Sequence, residues 1–200
     1  MKIKIKTLIP FALLLSQSHL VNAISPEYID QITCKNWRTE LKQPMSFPSF
    51  VSTSAFKKEF KQTKNSDEDQ GDYYTDVFKP KSPQRIFNGQ ILSVTSDSGY
   101  GGEWNSAGFI VDLKGNYNTI LKEAQQHLKV TQWQTAIQDY SDETGSRKIK
   151  TYYALVPHHK SRQARYISFQ QDPQTQLIHF NCRATEGDIP LFIRNMRGDW

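Results

Sequence analysis

ARYISFQQ (164–171), DPQT (172–175) and QLIHFNCRA (176–184) read as two strands around a tight turn. In the first strand Ile167 and Phe169 alternate with Tyr166, Ser168 and Gln170; in the second Ile178, Phe180 and Cys182 alternate with His179, Asn181 and Arg183. A period of two puts one set on a buried face and the other on the opposite face. The intervening Asp172–Thr175 reads as a turn.

Working outward, Thr131–Tyr140 and Arg147–Val156 read as two further strands, with turns at Asp142–Ser146 and Pro157–Ser161. Four strands joined by three short turns predict an antiparallel meander. Before it, Gly115–Asn118 starts a helix in which Ile120, Leu121, Ala124 and Leu128 recur at helical spacing. Tyr73–Phe78, Ile86–Thr95 and Ala107–Leu113 are strand-like, whereas Ser54–Lys64 reads as a short helix pairing Phe56 with Phe60. Ser25-Pro26-Glu27 opens a helix running to about Leu41, with Ile29, Cys34, Trp37 and Leu41 on one face. The expected fold class is α+β: an antiparallel meander sheet of about five to seven strands with two helices packed on one face and one disulfide.

Lys2, Lys4 and Lys6 precede an apolar stretch from Leu8 to Leu15, and the segment closes on Val21-Asn22-Ala23. This is the layout of a signal peptide. The apolar run is about half the ~18 residues a spanning helix needs, and Pro10 interrupts it, so no membrane insertion is expected after cleavage. Residues 1–23 are therefore assigned to the signal and 24–200 to a single α+β domain, in a periplasmic or secreted location. The chain carries 25 Lys+Arg and 20 Asp+Glu, and three of those lysines and no acid lie in the signal, so the mature chain is nearly balanced at +2. Its charge is regional, at +1 over 24–96, −4 over 97–146 and +5 over 147–200. Near-balance and export both argue against nucleic acid as the partner.

An exported chain with two cysteines, Cys34 and Cys182, is expected to join them. The closed loop of 148 residues removes about 5 kcal/mol of unfolded-chain freedom in the entropic account. Candidate catalytic signals do not assemble into a set. Ser98 sits in Ser-Asp-Ser-Gly-Tyr-Gly without a preceding histidine in the mature chain, and Ser54-Ala-Phe-Lys57 has no partner motif. Asn65, Asp67, Asp69 and Asp76 follow an EF-hand count only until Gln70, which stands where glycine is required. His158 and His159, beside a turn, have no acid or cysteine at ligand spacing. No cofactor, metal or catalytic residue is expected.

Binding candidates are the loop from Asp97 to Trp104, where Tyr100, Glu103 and Trp104 surround glycines, and the basic residues Arg162, Arg165 and Arg183. The expected function is that of a non-catalytic protein-binding module, an inhibitor or immunity protein that neutralises an envelope-targeted toxin, with a protein partner in the envelope. The alternatives are a carbohydrate- or peptidoglycan-binding envelope protein, whose partner is a cell-wall glycan, and a hydrolase with an unrecognised site. Thiol titration of the exported protein under denaturing conditions is expected to find no free thiol; two free thiols would exclude the disulfide.

Overall fold

Phe56 and Phe60 lie one helical turn apart, yet only the first of them is in a helix. The computed structural model describes residues 22–23, 29, 32–33, 51, 53–65, 73–101, 104–128, 133–142, 145–156 and 163–186. Helix α1 spans Ser54–Glu59, with Thr53 as its cap: the Thr53 side chain accepts from the Phe56 N–H at 3.2 Å. The expected continuation to Lys64 is instead strand β2 (Phe60–Asn65), paired antiparallel with β3 (Tyr73–Pro80). The two rings still stack, with centroids 4.5 Å apart, and Phe78 meets Phe56 edge-on at 5.2 Å. A six-residue helix has little stability of its own, so the ladder to β3 determines the backbone beyond Glu59.

The expected strand Ile86–Thr95 is a second correction. It divides into β4 (Gln84–Ile86) and β5 (Gly89–Gly101), joined by a two-residue turn at Phe87 and Asn88 with φ of 51° and 60°. Positive φ at both central residues is what a tight hairpin requires, and asparagine at the second of them adopts it readily. Phenylalanine is an uncommon choice there. Its ring is buried against Phe169 and Phe180, at 6.3 and 5.9 Å, and Asn88 Nδ2 donates to Glu123 Oε1 of the following helix. Packing thus offsets the backbone strain.

Strand β6 (Trp104–Lys114) leads into helix α2 (Tyr117–Leu128), capped by Asn116 Oδ1, which accepts from the Thr119 N–H at 3.0 Å. Ile120, Leu121, Ala124 and Leu128 are all buried, as the spacing predicts. The meander follows as β7 (Gln134–Asp142), β8 (Gly145–Val156), β9 (Gln163–Gln171) and β10 (Ile178–Glu186). Among the described residues the sheet has ten strands; β1 (Asn22–Ala23) begins the order β1-β4-β5-β6-β10-β9-β8-β7, with β2 and β3 extending the β5 side. Three strands beyond the expected count arise from β2, from the β4/β5 turn, and from β1 (Asn22–Ala23), which pairs in parallel with Gln84 and Arg85. Those two residues close the expected signal segment, so cleavage after Ala23 would remove that pairing.

One core lies between the sheet and α2. Ile167, Phe169, Ile178, Phe180 and Cys182 are all within it, each at most 1% exposed, and the Phe169 and Phe180 rings are 4.7 Å apart. Of the expected N-terminal helix, Ile29, Ile32 and Thr33 are described: Thr33 donates to the Ile29 carbonyl through its N–H at 3.0 Å, and Ile32 is fully buried in the same core. Cys34, Trp37 and Leu41 lie outside the described residues. No helix among the described residues is long and apolar enough to cross a membrane.

Gly108 is where the two halves of the sheet come closest. A Cβ there would stand 2.5 Å from the Cys182 carbonyl oxygen and 3.1 Å from Arg183 Cα. Both are backbone atoms, so the strands themselves would have to part. Gly108→Ala is expected to cost about 3 kcal/mol, the upper end of over-packing effects, read as a lowered urea midpoint; an unchanged midpoint would refute this account of the β6–β10 contact.

Candidate functional site on the outer face of the sheet

The residues that alternate with the core set form the opposite face, and register lines them up in rows. In one row Asp97 of β5, Gly108 of β6, Arg183 of β10 and Tyr166 of β9 are successive neighbours. Because Gly108 has no side chain, Arg183 reaches across it: Nη2 pairs with Asp97 Oδ2, and Nη1 donates to Ser106 Oγ at 3.0 Å. Their side chains are only 22% and 14% exposed. A partly buried arginine that bridges a carboxylate on β5 and a hydroxyl on β6 fixes strand geometry as well as contributing charge attraction. Burial raises the Tyr166 hydroxyl pKa above its ordinary value, with the Arg183 charge opposing and the Asp97 charge adding. Its neighbour on the same face, Tyr153, is pushed up to about 12, chiefly by burial.

A second row runs Ser93 (β5), Asp112 (β6), His179 (β10), Gln170 (β9), Thr151 (β8). Ser93 Oγ donates to Asp112 Oδ2 at 2.5 Å, and His179 Nδ1 lies 2.7 Å from Asp112 Oδ1. The three residue types are those of a hydrolytic triad, but the order is wrong for one. The carboxylate sits between hydroxyl and imidazole, so the serine proton points at the aspartate, and the imidazole is not placed to accept it. Ser93 is also buried. What the row does supply is cross-strand adhesion on three adjacent strands.

At the end of the sheet Asp172 caps its turn. Its Oδ1 accepts from the backbone N–H groups of Gln174 and Thr175 at 2.7 and 3.2 Å, and its Oδ2 meets Arg147 Nη2 at 3.3 Å. Burial opposes ionisation of both Asp112 and Asp172 but is outweighed. At Asp112 hydrogen bonds from His179 and Ser93 prevail; at Asp172 the two backbone N–H groups and the charge of Arg147 do. Both carboxyls are thereby held below the ordinary aspartate value.

Of the sequence-predicted binding residues, Asp97 and Arg183 are brought together, and each is engaged by the other. Tyr100 and Trp104 are not on a loop. They lie in β5 and β6 near the end of a continuous hairpin whose register runs from Asp97 opposite Gly108 to Gly101 opposite Trp104. The loop expected over 97–104 is thus corrected to strand at 97–101 and at Trp104: Gly99 and Gly101 take part in the ladder, where glycine weakens a strand without ending it. Arg165 is in β9, opposite Ala184 and Val156. Glu103, Arg162, His158 and His159 lie outside the described residues, as do Asp67 and Asp69. Among the described residues no three His, Cys, Asp or Glu side chains group as metal ligands. An open cleft of about 480 Å³ beside α2 is lined by Ile29, Ile86, Phe87, Glu123, Gln126 and His127. The Glu123 carboxylate in that cleft is already held by Asn88.

Sequence reasoning did not single out Asp112 or Ser93. The available signal was an acid enclosed by Val111 and Leu113 in a strand, which alternation sends to the outer face. It also missed the contrast between two of the sheet's terminal strands, β2 and β7. Strand β2, at one end, is six residues long, carries Lys61 and Lys64, and is interrupted by a bulge between Gln62 and Lys64. Strand β7, at the other, is nine residues long and in unbroken register with β8, with no lysine or proline. Among the described residues β7 pairs with β8 alone. Ile137 on β7 is 70% exposed, the one large hydrophobic side chain so placed among the described residues. Comparison with protein-family models, with curated proteins and with solved structures finds no match to this chain.

The lowered carboxyls set the acid response. A group whose pKa is depressed on folding stabilises fully above its unfolded value, near ~3.9 for aspartate, and that contribution is lost as pH falls through the depressed value. Asp112→Asn is expected to lower stability at neutral pH and to flatten its loss as pH falls below the ordinary aspartate value. Urea midpoints across that range measure it; parallel curves for the two proteins would exclude Asp112 as a source of the acid limb.

Proposed function

We propose that this chain is an exported, non-catalytic protein-binding module, periplasmic or secreted once residues 1–23 are removed, and that it takes its partner by strand addition at β7. Neutralisation of an envelope-targeted toxin is the form of binding put forward. One observation carries the reading: the contrast between the two sheet edges. Lysines, a bulge and short length are the usual means of preventing unwanted pairing, and β2 has all three. Strand β7 has none of them, and presents nine residues and an exposed isoleucine. An edge left open in this way offers main-chain hydrogen bonds for affinity and alternate side chains for selectivity.

The proposal includes the Cys34–Cys182 disulfide. Supporting it, Cys182 is fully buried, no cysteine among the described residues is free, and the chain has two cysteines in all. Such a bond would anchor the N-terminal segment to β10 at the centre of the sheet.

The test is capture of a stoichiometric partner from envelope extract, with Ile137→Lys and the double variant Lys61→Ala/Lys64→Ala in parallel. Wild type and the lysine-free β2 variant are expected to retain the same partner, and Ile137→Lys to lose it. Equal capture by Ile137→Lys, or binding to isolated peptidoglycan with no protein partner, would overturn the reading.

A further inference from the structure

A strand with one neighbour among the described residues can always meet a second copy of the same chain. We propose that, before a partner is met, β7 of one copy pairs antiparallel with β7 of a second copy about a two-fold axis through Ile137. The inference rests on the reading of β7 as a strand acceptor and adds a resting state in which that acceptor is covered.

The sequence of β7 supports the self-pairing. A two-fold interface sets the same surface against itself, so every residue must tolerate the partner that symmetry assigns. With the axis at Ile137, residue 137 faces its own copy, 136 faces 138, 135 faces 139 and 134 faces 140. The 70% exposed isoleucine then covers its symmetry mate. Asp139 comes opposite Thr135, so no acid faces an acid, where like charges directly opposed would destabilise. The register of β8 extends the pattern outward, because Lys150 pairs with Ile137 and Lys148 with Asp139 in each copy. The central row therefore reads Lys150, Ile137, Ile137, Lys150. The next reads Lys148, Asp139, Thr135, Tyr152. Moving the axis by one residue in either direction sets Ile137 against Asp139 or against Thr135, which leaves the apolar side chain facing a polar one. Keeping odd residues opposite odd residues also keeps the α2-covered face of both copies on one side, so the joined sheet is continuous. A partner would have to displace this strand, which makes binding a competition with the dimer.

The test needs no partner. The exported protein, purified, is followed by light scattering after size-exclusion chromatography over a series reaching high micromolar concentration. Wild type is expected to reach twice the monomer mass, and Ile137→Lys to remain at the monomer mass with an unchanged thermal midpoint. Mild oxidation of Ile137→Cys is expected to give a covalent dimer, since symmetry sets that position against itself, whereas Thr135→Cys should give one only when mixed with Asp139→Cys. A wild type that stays monomeric throughout, or Thr135→Cys cross-linking to itself as readily as Ile137→Cys, would overturn the inference. Because mass is read without a partner, that failure is distinct from the failure of the strand-acceptor reading, which shows as undiminished capture by Ile137→Lys.

Discussion

The pairing of β6 with β10 is the contact on which the architecture turns. Strands β2 to β6 are laid down first along the chain, α2 crosses over the sheet, and the meander from β7 returns until β10 lies against β6. Nine residues of each strand are in register, from Ile178 opposite Leu113 to Glu186 opposite Asn105. On the inner side this ladder joins Val111 to Phe180 and Phe109 to Cys182 in the middle of the core. On the outer side it creates both polar rows, since neither Asp97 and Arg183 nor Asp112 and His179 are near in sequence. The ladder closes only because position 108 has no side chain: the atoms a Cβ would meet are the backbone of β10 itself.

Loop closure makes such a pairing late and expensive in chain entropy, with more than sixty residues between the two strands. Local elements reduce that cost. The Asn116 cap and the buried stripe of α2 fix the crossover, and the Asp172 turn fixes the final hairpin. Each operates within a few residues, so β10 arrives already paired with β9 and with its apolar face defined. The Arg183–Asp97 and His179–Asp112 contacts then distinguish the correct register from a slip of one residue, which would send Phe180 and Cys182 to the outer face.

That division explains what was legible in the sequence. The meander, α2 and the inward set Ile167, Phe169, Ile178, Phe180 and Cys182 follow from period and turn chemistry, which are local. The Phe87–Asn88 turn was hidden because phenylalanine is a poor residue for positive φ; what compensates is its ring against Phe169 and Phe180, some eighty residues or more away. Strand β2 was hidden because its local signal, Phe56 with Phe60, is as compatible with a helix as with the observed helix-to-strand junction. The glycines at 99 and 101 carried a breaker signal that pairing overrode, with Gly99 between Tyr73 and Ser106 and Gly101 opposite Trp104. The candidate site was least legible of all, because an edge is a property of strand order. Nothing in QTAIQDYSD announces that β7 ends the sheet.

The two edges also differ in what the fold asks of them. Strand β2 packs its Phe60 into the core beside Phe56 and Phe78, so its position is secured by burial and its outward lysines are free to repel other chains. Strand β7 lies at the far end of the strand order, next to β8. Its neighbour Tyr152 is only partly buried, and Lys150 lies over that ring at 5.1 Å rather than in a core. Among the described residues β7 is held by the ladder to β8 and by Trp133 just before it, whose ring lies 6.1 Å from that of Phe169. The cheapest additional stabilisation open to such a strand is another strand. Among the described residues β7 thus has a single strand neighbour, and the charges along it are Asp139 and Asp142 rather than lysines, so its edge differs in kind from that of β2.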